Sequence, residues 1–276
     1  MNKLHSKYAS SEELALKLRH HILQMITPVR GSHIGSALSV ADILAVLYYS
    51  FLHYAPENSS SSSRDRLIFS KGHAGSCLYA ALAEAGFFPE ETLKDYCRNN
   101  SFLSGHINSH NVPGAEFSTG SLGHGLPVAA GICYSLKMRG NPAKTVVIMG
   151  DGECNEGTTW EGALFAAANK LNNLTVIIDR NRIQAMGNTE DIMPLEPFAE
   201  KWECFGWKTS TVDGHDHKQL LETLQKKDDS APHCIIARTI KGKGISFMEN
   251  QLLWHYKSPD EEQFKQAQNE LLRGKR

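Results

Sequence analysis

Thr145-Val146-Val147-Ile148-Met149-Gly150-Asp151-Gly152-Glu153-Cys154-Asn155-Glu156-Gly157 is the stretch whose reading decides the fold. It opens with a short, mostly β-branched apolar run, the pattern of a strand buried on both faces. Gly150-Asp151-Gly152 ends that run. A helical pattern follows at Thr159–Leu171, then a second apolar run, Leu174-Thr175-Val176-Ile177-Ile178, which ends in Asp179-Arg180-Asn181-Arg182-Ile183. Strand, helix and strand in this order require a parallel pair with a crossover helix.

The same alternation continues downstream. Trp207–Val212 and Cys234–Ala237 have strand character, a helix is expected at Lys218–Gln225, and a polar, charged helix closes the chain at about 260–272. Upstream, Leu14, Leu18, Ile22 and Met25 recur at helical spacing over Ser11–Ile26, opened by Ser11-Glu12-Glu13 as cap and acidic first turn. A second helix is expected from Ser39 through Leu47. Between these two helices, Arg30–Ser36 is a glycine-bearing loop that carries His33. Helical patterns recur at Ser76–Ala85 and Glu90–Cys97, and Val128–Lys137 is a helix of small residues. Ser59–Ser63 is a solvated loop. Asn99–His124, rich in Gly, His, Ser and Asn, is a long aperiodic stretch of the kind that carries function in compact domains. The expected architecture is α/β: a parallel sheet with helices on both faces, residues 1–276 forming one domain.

Composition excludes several function classes. With 29 basic and 30 acidic residues the net charge is −1, which gives no electrostatic footprint for nucleic acid. No apolar stretch approaches the roughly 20 residues of a membrane span, and Met1–Ser11 has no apolar signal core, so a cytoplasmic location is expected. Cys77, Cys97, Cys133, Cys154, Cys204 and Cys234 show no metal-ligand spacing, and most read as small buried residues. Cys154 lies inside the best motif but has no basic neighbour in sequence to activate it.

In a doubly wound sheet, ligands bind outside the carboxyl ends of the strands. A lone Gly-Asp-Gly is usually a turn, and a lone Asn after a strand is usually a cap. On successive strand ends they combine into something else. Asp151 offers a carboxylate, Asn181 an amide oxygen and Ile183 a main-chain carbonyl, which suits a magnesium ion that takes its remaining oxygens from phosphate and water. Gly150 and Gly152 let a phosphate approach the main chain, whose N–H groups can bind its oxygens.

Gly-Asp-Gly followed after 28 residues by Asn is similar to the thiamine-diphosphate motif of transketolases and related enzymes. Arg180 stands where the first of two Asn is usual. Arg64–Ala74, with Ser70-Lys71-Gly72-His73-Ala74, resembles a transketolase segment. So do Pro113-Gly114 with Ser118–Gly125, and Lys241-Gly242-Lys243-Gly244-Ile245 with Trp254-His255. The resemblance runs from about Leu14 to Phe264. It implies the diphosphate-binding (PP) domain of the thiamine-diphosphate fold, with Asp151, Asn181 and Ile183 holding Mg2+ (or Ca2+ or Mn2+ in its place). It further implies Ser36, His73, Gly120, Leu122, Gly150, Gly152, Glu153 and His255 as cofactor neighbours. His33, His73, His106 and His255 correspond to active-site histidines, and Glu156 to a subunit-interface glutamate. The remaining histidines read as structural, and His124 stands where Gln is frequent.

A glutamate that the family uses against the aminopyrimidine belongs to a second domain with no counterpart here. The resemblance therefore implies a partner chain carrying the pyrimidine-binding domain, as in split bacterial transketolases, and an assembly of two plus two chains. The implied reaction moves a two-carbon ketol unit from a ketose to an aldose. Two alternatives remain open: a 2-oxo acid donor, as in deoxyxylulose-phosphate synthases and dehydrogenase first components, and a non-catalytic cofactor-binding scaffold. Departures from the family at Gly31–Gly35, Ile107-Asn108, His110 and Gln184 fall near the sugar, so the substrate is left undefined.

Overall fold

The computed structural model describes residues 3–226 and 230–274; the outermost ends of the expected 1–276 domain lie outside them. Among the described residues, five strands form one sheet: β1 (Arg66–Phe69), β2 (Thr145–Gly150), β3 (Leu174–Arg180), β4 (Lys208–Asp213) and β5 (His233–Arg238). Their order is β1-β2-β3-β5-β4 and every pairing is parallel. All carboxyl ends therefore lie on one edge. Gly150 pairs with Asp179 and Ile148 with Phe69, so the loops after β1, β2 and β3 start side by side.

The helices are α1 (Lys3–Lys7), α2 (Ser11–Ile26), α3 (Ile34–Ser39), α4 (Ala41–Val46), α5 (Gly75–Ala85), α6 (Gly125–Met138), α7 (Gly157–Ala168), α8 (Thr189–Ile192), α9 (Phe198–Cys204), α10 (His217–Leu224) and α11 (Glu261–Arg273). Period-two alternation along the strands divides the core between the two sheet faces. Val146, Ile148, Ile177 and Ile235 pack with Leu14, Leu18, Ile22 and Leu44 of α2 and α4. Val147, Met149, Val176, Ile178 and Ile236 pack with Leu126, Ala129, Ala163, Ala166 and Trp202 of α6, α7 and α9. Small residues draw α6 and α7 together: a Cβ on Gly162 would lie 3.1 Å from the nitrogen of Pro127. Among the described residues, no helix is long and apolar enough to cross a membrane.

Several local expectations need correction. The α2 cap is Ser10, whose hydroxyl accepts from the Glu13 N–H, so Ser11 is already helical. The loop at Arg30–Ser36 ends early, because Ile34 to Ser36 belong to α3, and His33 precedes that helix with a left-handed φ of 68°. Val40 separates α3 from α4, which runs on into a wide turn at Leu47–Phe51. Glu90–Asp95 is a tight 3-10 segment instead of a helix through Cys97. Neither β1 nor α9 is expected from the sequence pattern.

Candidate active site

The parallel sheet brings residues from distant parts of the chain to one edge. His73 follows β1, Asp151 follows β2, Asn181 follows β3, and Lys241 and His255 follow β5. His33 enters from the α2–α3 turn, and its N–H donates to the His255 carbonyl at 2.8 Å.

Four imidazoles gather around His33. Its ring centroid lies 5.3 Å from His73, 5.7 Å from His106 and 5.0 Å from His255, and His73 and His255 are 6.0 Å apart. Burial, with His106, Lys241 and Lys71 nearby, lowers His33 to about 4. Burial, with Lys241, His33 and Lys71, lowers His255 to about 3. His73 is pushed well below its ordinary value, by burial first and then Lys71. These three rings are neutral at physiological pH. The ammonium of Lys241 donates to His255 Nδ1 at 2.9 Å, which leaves the ring proton on Nε2. His33 Nδ1 lies 3.1 Å from the Ser32 hydroxyl.

At the strand tips, Asp151 is 3% exposed. Its Oδ1 accepts from the Gly152 N–H at 2.8 Å, and its Oδ2 accepts from the Arg182 N–H at 2.7 Å and from Arg180 at 3.2 Å. Burial raises its carboxyl despite Arg180. The Asn181 Oδ1 accepts from the Ile183 N–H at 3.1 Å, and the Ile183 carbonyl accepts from Lys241 Nζ at 2.9 Å. The donors are therefore a carboxylate, an amide and a carbonyl on the facing ends of β2 and β3, a hard-oxygen set that fits Mg2+. A Cβ added to Gly150 would meet no atom within 4 Å, so open space lies beside this tip. Lys71 and Lys241 are buried next to it, and burial, then Lys71, lowers Lys241 to about 8. Such a field, on neutral histidines and cationic amines, suits a polyanion.

The loops that frame the site are held by Glu153. Its buried carboxylate accepts from the Ser70 hydroxyl, from the Gly123 N–H at 2.8 Å and from the Gly150 N–H at 3.4 Å. Thr119 ties the stretch bearing Gly120 and Leu122 to β1, its hydroxyl donating to the Phe69 carbonyl at 3.0 Å. A Cβ on Gly120 would lie 3.5 Å from the His106 ring. Ser36 is buried in α3, and its carbonyl accepts from Lys71 Nζ at 3.1 Å. Glu156 is exposed at the start of α7 and makes no side-chain cap bond. Gln184 lies against Gly152 and donates to Asn155 at 2.8 Å.

Residues without an assigned role behave as structural groups. Cys154 is 1% exposed, and burial pushes its thiol far up. His21 bonds Glu84, and His215 and His217 both bond Asp42. His21, Glu84 and Glu90 come close enough to hold a metal, but Lys7 and Lys17 already neutralise the two carboxylates. The sequence pattern does not single out Lys71 and Lys241 as buried cations, although both stand before glycines in quoted motifs. Nor does it show what Arg180 does at Asp151.

Residues 10–272 match the family described as transketolase, thiamine diphosphate binding domain. The chain is 41% identical over 273 residues to one of the subunits of an apulose-4-phosphate transketolase from Actinobacillus succinogenes, covering 98% of this chain and 99% of that one. It is 39% identical to a 6-deoxy-6-sulfo-D-fructose transketolase subunit of a Clostridium species, covering 92% and 93%. Against the transketolase of Mus musculus it is 38% identical but spans only 40% of that protein's length. The solved transketolase of Campylobacter jejuni superposes with a TM-score of 0.88 at 31% identity, over 95% of this chain and 42% of that one. The chain belongs to the transketolase family, as its thiamine diphosphate binding domain.

Proposed function

We propose that this chain is the diphosphate-binding subunit of a two-chain transketolase that moves a two-carbon ketol unit from a ketose, phosphorylated or otherwise modified, to an aldose. The observation that carries this reading is the four-imidazole cluster around His33, set beside the Asp151–Asn181 strand tips. A 2-oxo acid donor has no hydroxyls for so many rings to bind. A scaffold has no need of them.

In this reading Asp151, Asn181 and the Ile183 carbonyl hold Mg2+, and the Gly150–Gly152 main chain and Lys241 face the diphosphate. Bound thiamine diphosphate supplies the nucleophilic carbon and the electron sink for carbon–carbon cleavage. His255, with Nδ1 taken by Lys241, presents its Nε2–H to the oxygen that gains charge. His33, with Nδ1 on Ser32, presents Nε2 to a sugar hydroxyl, and His106 and His73 line the same space. Burial holds His33, His73 and His255 neutral, so each of these three rings carries one N–H donor and one lone pair.

The whole chain acts as one domain in this proposal, in the cytoplasm. The partner chain brings the pyrimidine-binding half, and two chains of each kind form the complete enzyme. Glu156 lies at that interface. Support comes from the exposed apolar residues Tyr134, Met138, Leu164 and Phe165 on the neighbouring helices α6 and α7. That two relatives of matching length are named as subunits also favours a separate partner.

The test is ketol transfer by the chain co-purified with its partner, supplied with thiamine diphosphate and Mg2+. Transfer from a ketose, abolished by Asp151→Ala, is expected. Turnover of pyruvate with no turnover of any ketose would overturn the proposal.

A further inference from the structure

Arg180, the last residue of β3, is 2% exposed and bonds three carboxylates. One N–H group lies 3.2 Å from Asp151 Oδ2; the other arm reaches Glu190 Oε1 at 2.6 Å and Glu196 Oε1 at 3.1 Å. Its guanidinium stands over the Phe198 ring, 5.5 Å from the centroid, and its Nε has no hydrogen-bond partner among the described residues. A buried guanidinium requires anionic partners, and here they pull in opposite directions. Asp151 draws it toward the strand tips, while the two glutamates draw it toward the rim.

The glutamates are not casual surface partners. Glu190 accepts from the N–H groups of Leu195 and Glu196 at 3.2 and 3.3 Å, and Glu196 accepts from that of Phe198 at 2.9 Å. Main-chain donors therefore fix both carboxylates where they face Arg180, so little side-chain entropy opposes the pairing. Both lie in the segment that follows Ile183. A cation on Asp151 and the Arg180 guanidinium compete for the same carboxylate charge, and their mutual repulsion is strong at this range.

We propose that Glu190 and Glu196 are positioning residues that set the divalent-cation affinity of the Asp151 site, by drawing the Arg180 charge outward and leaving Asp151 free to ligate. This rests on the reading of Asp151 as a cation ligand. The arrangement belongs to this chain's departure from the usual two-Asn motif: the arginine is tolerated at a strand tip beside a cation because the rim offsets its charge.

The test is a titration of the full chain with its partner, in the presence of thiamine diphosphate, with Mn2+ followed by electron paramagnetic resonance. Glu190→Gln/Glu196→Gln is expected to weaken Mn2+ binding about tenfold, within the range found for groups behind metal ligands. Each single variant is expected to give about threefold. Adding Arg180→Met to the double variant is expected to restore binding. Wild-type affinity in the double variant overturns the proposal, and so does a loss that persists once Arg180 is removed, because the glutamates then act only by shaping their loop. If the triple variant does not fold, wild-type affinity in both single variants overturns it equally. Asp151→Asn separates the two readings. Retained Mn2+ binding there removes the ligand assignment itself, whereas loss of binding there with an unaffected glutamate variant defeats the present proposal alone.

Discussion

Lys71 and Asp179 form an ion pair inside the protein, with side-chain exposures of 1% and 0%. Lys71 follows β1 and Asp179 lies in β3, so the pair bridges across the end of β2. Asp179 Oδ2 also accepts from Ser39 Oγ at 2.6 Å, and its Oδ1 accepts from the Thr239 hydroxyl. Burial alone would raise the Asp179 carboxyl; Lys71, with the hydrogen bonds from Ser39 and Thr239, outweighs it and holds the group below its ordinary value.

Removing one partner leaves the other charge buried and unpaired. Asp179→Asn or Lys71→Met should each cost about 3–5 kcal/mol of stability, read from chemical denaturation. The Lys71→Met/Asp179→Asn pair should recover much of that loss. A single variant as stable as the parent would show that water reaches the pair.

Glu84 makes a second buried centre. Burial would raise its carboxyl, but bonds from His21, Lys7 and Tyr8 prevail and hold it at about 2, against an ordinary 4.5. Its folded-state value lies below the unfolded one. The stabilisation is therefore complete above about pH 4.5 and fades as the pH falls toward about 2, a contribution of roughly 3 kcal/mol. Glu84→Gln should be less stable at pH 7 and should show a flatter loss of stability between pH 4.5 and pH 3 in urea titrations.

The histidines behave oppositely to exposed ones. His33 and His255 titrate near 4 and near 3, below the ordinary 6.5. The unfolded chain takes up these protons first, so stability is full above about pH 6.5 and falls as the solution is acidified toward pH 4. Nitrogen-15 spectra of histidine-labelled protein should show at least three rings, those of His33, His73 and His255, still neutral at pH 5.5. Replacing His33 by Gln should shrink the drop in stability from pH 7 to pH 5 by about 1 kcal/mol, allowing for solvent screening.

Gly72 is packed where no side chain fits. A Cβ there would come within 2.5 Å of the Thr119 carbonyl oxygen. Gly72→Ala should force the turn bearing His73 away from the stretch bearing Gly120, costing about 1–3 kcal/mol and weakening thiamine diphosphate binding in calorimetry. Unchanged affinity would mean that this contact has no part in shaping the site.

Much of this was legible in the sequence because β2 and β3 are apolar β-branched runs whose ends carry punctuation. β1 escaped notice because Arg66-Leu67-Ile68-Phe69 is a four-residue edge strand opened by a charge and hemmed by Arg64 and Lys71. The seven residues of α9 are too few to establish a period. Candidate site histidines were found through resemblance, since nothing in spacing alone joins His33, His106 and His255. Lys71 and Lys241 stand beside glycines, where nothing in the sequence pattern marks a lysine as buried, and only the tertiary fold reveals that both are. The expected Ser11 cap failed by one residue because Ser10 and Ser11 are chemically equivalent, and only φ tells them apart.

The strand order also bears on how the protein is made. β4 pairs only with β5, and β5 is synthesised after it, so β4 emerges from the ribosome with no neighbour to join. Insertion of β5 between β3 and β4 completes the sheet, and His255 is translated later still. The His33–His255 contact that joins the first helices to the last loop therefore forms only after the sheet is complete, and until then the unpaired edge of β4 is a segment that a chaperone has reason to shield.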